Sequence, residues 1–165
     1  MASVESPFIE LFELHIPAAI PLTPGISRDF YFCNSGNVTF TRGGLPQDYV
    51  AFPIAISGIA QTSNGAPPRP KLSLSTVDSL ISQLAFLYSD IVGTKVVYIR
   101  TFSEYLTSGI GSYPLNMEIL AKTSHNKNGL EFELRFPTDR ETDYLPKKQM
   151  LRNEYPGMGT NKRAM

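Results

Sequence analysis

At 165 residues the chain is one domain's length, and a hydrophobic fraction of 42% with 10 Phe and 8 Tyr suffices for a real core. Charge sums to zero, 15 Lys and Arg against 15 Asp and Glu, so no basic field marks a nucleic-acid binder and little repulsion opposes association. The single cysteine, Cys33, excludes an internal disulfide and a thiolate metal site of the chain's own.

Met1 to Pro7 lack a basic start and a long apolar run, so no secretory signal is expected. The apolar stretch over 16–22 is broken by Pro17 and Pro21 and followed by Pro24, far short of the ~20 residues a membrane helix needs. Phe8–Ile16 reads as a strand apolar on both parities, hence covered on both faces. Residues 18–27 form a loop. Asp29–Cys33 and Val38–Thr41 then read as a hairpin joined through Asn34-Ser35-Gly36-Asn37. Gly43-Gly44 and Pro46 mark the next turn, and Tyr49–Ile59 is extended, with Pro53 favouring an edge or bulge.

Residues 61–70 are loop-like, and Pro70–Ser75 alternates apolar with polar as a strand with one wet face. Ser75 and Asp78 resemble a capping box, and Leu80, Ile81, Leu84, Leu87 and Tyr88 fall at helical spacing, so one main helix is predicted over about 76–91. Lys95–Phe102 is a strand with β-branched residues on both faces, running into a short helical turn through Leu106. Leu115–Thr123 and Leu130–Phe136 form a hairpin around Asn128-Gly129. Past Pro137 periodicity is lost, and residues 140–165 read as an extended arm ordered only by a partner.

Charge is graded along this order: −3 over residues 1–64, zero over 65–139 and +3 over 140–165. An acidic front and a basic tail suit contacts between unlike surfaces, although a solvated basic tail has the same composition.

Chemistry-bearing constellations are scarce. His15 lies in a strand and His125 in a turn, neither with Cys or carboxylate at ligand spacing. Gly109-Ile110-Gly111 is too short to cradle a phosphate. Glu131 and Glu133 share the wet face of a strand, where solvation is the simpler reading than acid–base work. Cys33, among aromatics, reads as a small buried hydrophobe. A structural protein is expected rather than an enzyme.

Several landmarks recur together: Leu11–Leu14, Tyr31–Asn34, Phe52-Pro53-Ile54, Arg69–Ser75, Val92–Arg100, Phe132–Thr138 and Leu145–Met150. In this order and spacing they resemble the lambda-like phage minor tail protein L family over residues 8–150. The resemblance implies a hub component of a non-contractile tail tip, between the distal tail protein and the central host-recognition protein. It implies three copies of the chain, residence in the virion tail tip and assembly in the host cytoplasm. Family members carry a cysteine-rich iron–sulfur segment, but no cysteine follows Met150 here, so this chain is expected to be a short form without that cofactor.

The expected architecture is α+β and β-dominated. Mostly antiparallel strands build a barrel-like or sandwich core over residues 1–139, with the arm at 140–165. Arg69, Pro70, Lys147, Lys148, Arg152 and Tyr155 are the candidate interaction residues. No cofactor, nucleic-acid partner or membrane insertion is expected. The competing reading is a small-ligand-binding β-barrel whose aromatics at 30–32 and 49–52 line a cavity. A tail-tip hydrolase lacks the His and Cys stock it would need.

Overall fold

Runs rich in β-branched and aromatic residues, punctuated by Gly, Pro and Asn, give a chain built from strands. The computed structural model describes residues 8–59, 68–75, 83, 85, 86, 88–126 and 129–137. Its strands are β1 (Phe8–His15), β2 (Asp29–Cys33), β3 (Val38–Arg42), β4 (Leu45–Ala51), β5 (Ile54–Ser57), β6 (Lys71–Ser75), β7 (Lys95–Phe102), β8 (Tyr113–Asn126) and β9 (Gly129–Arg135). Two 3-10 turns, Ser89–Ile91 and Ser103–Tyr105, flank β7.

The nine strands form one sheet in the order β3-β4-β2-β1-β7-β8-β9-β6-β5. All described pairings are antiparallel except β2 with β4, where Phe32 and Cys33 lie parallel to Val50 and Ala51. The sheet is open and mixed, so neither the expected barrel nor the expected sandwich describes it. The β3–β4 hairpin occupies the edge beyond β2, leaving β3 and β5 as the two unjoined edges. Pro53, which has no N–H to give a ladder, breaks the run between β4 and β5.

The main helix is corrected as well. Most of residues 76–87 lie outside the described residues, and no helix of the expected length stands among the described elements. Its predicted end is a 3-10 turn in which Asp90 (φ 57°) and Ile91 (φ 49°) are left-handed, a conformation that no continuous α-helix contains. The α+β expectation therefore gives way to a strand-built fold. The arm at 140–165 also lies outside the described residues.

The expected 29–41 hairpin does not form either. β2 pairs with β1 (Leu11 opposite Cys33, His15 opposite Asp29), while β3 pairs with β4. The β3–β4 turn is Gly43-Gly44, with φ of 60° and 84°, the conformation a tight hairpin needs and glycine adopts freely. The β8–β9 hairpin, the wet-faced β6 and the turn after β7 are found where the sequence places them.

Alternation on β1 and β7 sorts residues to two cores. Phe12, Leu14, Val96 and Tyr98 join Leu72, Leu74, Met117, Ile119, Leu130, Phe132 and Leu134 in the larger one. Ile9, Leu11, Val97 and Ile99 face the other way and are covered by Phe40 and Tyr49 of the β3–β4 hairpin, with Cys33. The two-sided apolar strands are thus satisfied largely within the chain. Strand β8 serves two neighbours: residues 113–118 pair with β7 and 118–126 with β9. Register shifts after Ile119 and Lys122 break its ladder with β9, as bulges do when a strand must bend.

Candidate assembly surface

At one end of β1 and β7 the larger core runs out, and the same sheet face continues into solvent. Phe8 and Phe102 are register partners with rings 5.8 Å apart, edge to face. Tyr105, in the turn after β7, adds its ring 6.4 Å from Phe102. The Arg100 guanidinium lies over Phe8, 4.5 Å from the ring centre, a cation–π contact. Opposite Arg100 on β8 stands Tyr113, 78% exposed. Ile59, Tyr98, Arg100, Tyr113, Pro114 and Leu115 surround a hollow of about 390 Å³ beside it. Exposed Phe, Tyr and Arg held in fixed geometry match the composition of protein–protein hot spots.

The corner is anchored by polar contacts. The Tyr98 hydroxyl donates to Glu10, whose other oxygen accepts from Asn34 Nδ2 at 2.6 Å. Burial first, and then the bond to Glu10, pushes the Tyr98 hydroxyl well above the ordinary tyrosine range. Leu106 O accepts from Thr41 N at 2.8 Å, which ties the turn carrying Tyr105 to β3. Gly109 (φ +66°) passes so close that a Cβ there would lie 2.4 Å from Thr41 O.

A second polar group sits on the opposite face. Glu13, buried in β1, accepts from the Tyr49 hydroxyl at 2.6 Å and lies 3.7 Å from Arg42. His15 stands between two carboxylates, Nδ1 2.7 Å from Asp29 Oδ1 and Nε2 3.2 Å from Glu13 Oε2. Sequence reading misses this group, although the shared parity of Glu13 and His15 is a signal. Burial first, then the carboxylate beside it, holds the Tyr49 hydroxyl far above its usual range.

Of the sequence-predicted interaction residues, Arg69 pairs with Glu133 of β9 at 3.1 Å and is exposed. Pro70 is buried, and its carbonyl accepts from Leu134 N at 2.8 Å. Together they fasten the entry of β6 to β9. Lys147, Lys148, Arg152 and Tyr155 lie outside the described residues. The aromatics expected to line a cavity pack on one another: Phe32 on Phe52 at 4.7 Å and Tyr31 on Tyr49 at 5.5 Å.

The donor set does not fit an iron–sulfur cluster. Cys33 is fully buried in the smaller core, and no group of three or more His, Cys, Asp or Glu placed to hold a metal ion occurs among the described residues. No helix among the described residues is long and apolar enough to cross a membrane.

A comparison with family models finds a match over residues 25–110, more than half of the chain, to the family described as phage minor tail protein L. The matched span runs from just before β2 through the Ser103–Tyr105 turn, so it includes Arg100, Phe102 and Tyr105 of the aromatic corner.

Proposed function

The chain belongs to the phage minor tail protein L family, a structural component of the virion tail, and from that premise we propose that it is a hub subunit of a non-contractile tail tip. In this reading it joins the distal tail protein to the central host-recognition protein as a homotrimer and performs no catalysis. One observation carries the assembly role: the corner of Phe8, Phe102, Tyr105 and Tyr113 is built on a paired sheet yet left open to solvent. A partner seated there buries aromatic surface without ordering a loop first, which keeps the entropic cost low. The basic residues Lys147, Lys148 and Arg152 supply a second contact, onto an acidic neighbour, with Tyr155 beside them.

Imaging of purified tails carrying a labelled subunit tests the placement. Label confined to the end distal to the head is expected, and label along the tube overturns the hub role. Tyr113→Lys tests the corner, because an exposed side chain can change without disturbing the core. The variant should keep its melting temperature and enter tails at least about tenfold less efficiently, a loss of about 1.4 kcal/mol at the contact. Normal incorporation would remove the corner from the interface. Mass measurement of the free and tail-bound protein reports whether three copies associate.

A further inference from the structure

We propose that the aromatic corner receives an acidic partner: a carboxylate of a neighbouring tail protein seated on Arg100, with an apolar side chain beside it in the adjoining hollow. This rests on the corner being an assembly surface and names the chemistry of what it takes. Arg100 and Phe102 share a face of β7 by alternation. Register puts Glu10 and Phe8 opposite them on β1, and Tyr113 beside Arg100 on β8. Arg100 is exposed, and its guanidinium rests 4.5 Å from the centre of the Phe8 ring. It is thus held by a ring face rather than by a hydrogen-bond acceptor.

In this Arg100 differs from the other described arginines. Arg28 donates to the carbonyls of Pro17 and Ile20, and Arg42, Arg69 and Arg135 each stand within ion-pair reach of a glutamate. Among the described residues Arg100 has no such acceptor. Glu10, its register partner, is already engaged: one oxygen accepts from the Tyr98 hydroxyl and the other from Asn34 Nδ2 at 2.6 Å. Glu104, in the Ser103–Tyr105 turn, is exposed and makes no ion pair with Arg100.

The partner's chemistry follows from desolvation. Water satisfies Arg100 while the corner is open. A partner covering Phe8, Phe102 and Tyr113 removes that water, and a guanidinium stripped of water without an anion is costly. A wholly apolar or basic partner is disfavoured for that reason, whereas a carboxylate accepts two parallel N–H bonds from the planar group. The hollow of about 390 Å³ beside Arg100 has Ile59, Pro114, Leu115 and Tyr113 in its wall, which suits a large apolar side chain. An acidic residue next to a Phe, Leu or Met on the partner satisfies both features at once.

Two variants at one position read the partner's charge. Tyr113→Glu and Tyr113→Lys both remove the ring from a site 78% exposed and differ chiefly in sign. Both should melt with wild type, and the subunit content of purified tails is then compared. Tyr113→Glu should enter tails at least about tenfold less efficiently than Tyr113→Lys, because it sets a like charge against the partner. The gap should narrow at high salt. Arg100→Gln should also lose incorporation, and Arg100→Lys, which keeps the charge without the fork, should lie between it and wild type. Equal losses for the two Tyr113 variants, a larger loss for Tyr113→Lys, or normal incorporation of Arg100→Gln overturns the acidic partner and leaves the corner an interface. Normal incorporation of both Tyr113 variants removes the corner itself, and this inference with it. If the Arg100 variants melt early, the Tyr113 pair decides alone.

Discussion

Glu13 is the one buried carboxylate among the described residues, and the Tyr49 hydroxyl donates to it. Tyr49→Phe keeps the ring packed against Tyr31 and Phe40 but removes the donor. A cost of about 1–3 kcal/mol is expected, because the buried acceptor is left short of a partner. Denaturant melts check it. The same tyrosine sets an alkaline limit. Burial raises Tyr31, Tyr49 and Tyr98 in the folded state, whereas in the unfolded chain they ionise near the ordinary value of about 10. Above that pH the unfolded state holds fewer protons than the folded one, so stability falls as pH rises. Tyr49→Phe should make this decline shallower, read as melting temperature against alkaline pH. None of this network is legible residue by residue. Its members at 13, 15, 29, 42 and 49 meet only through register and through the β3–β4 layer folded over β1.

Among the elements, those specified by near neighbours were readable and those specified by distant ones were not. Asn128-Gly129 and the alternation of Leu130, Phe132 and Leu134 sufficed to place the β8–β9 hairpin. Asn34–Asn37 looks equally turn-like, yet β2 pairs with β1 and β3 with β4, partners that local turn chemistry does not report. The predicted helix failed where Asp90 and Ile91 turn left-handed, which hydrophobic spacing does not report. Two substitutions probe elements directly. Phe132→Ala, at a fully buried position, should cost about 3–5 kcal/mol, seen in denaturant melts. Gly109→Ala combines a left-handed backbone with a Cβ 2.4 Å from Thr41 O. It should cost at least about 2 kcal/mol and loosen the turn that carries Tyr105, visible as broadened Tyr105 resonances.

At the scale of the molecule, the buried members of both cores among the described residues come from positions 9–134. Deleting residues 141–165 should therefore leave the melting temperature within a few degrees of wild type while weakening incorporation into tails. Equal incorporation would remove the arm from assembly. The family was legible in the order and spacing of landmarks such as Arg69–Ser75 and Val92–Arg100, and neutral charge turned the reading toward assembly. The aromatic corner was hidden, because Phe8 and Phe102 lie 94 positions apart and become neighbours only once β1 and β7 align.

Strand β4, paired to the edge strand β3, and β5, the opposite edge of the strand order, are consecutive in the chain, and Phe52-Pro53 joins them. Phe52 N donates to Cys33 O at 2.9 Å, and Pro53 O accepts from Ser75 N at 3.0 Å. Two adjacent residues thus touch β2 on one side and the end of β6 on the other. An open sheet ordinarily frays from its edges, with terminal strands opening at little cost. Here neither edge can peel far without pulling on the junction and disturbing the other. Amide exchange at Phe52 and Ser75 should accordingly require the same opening free energy as exchange in the core of β1, so that the sheet unfolds as one cooperative unit.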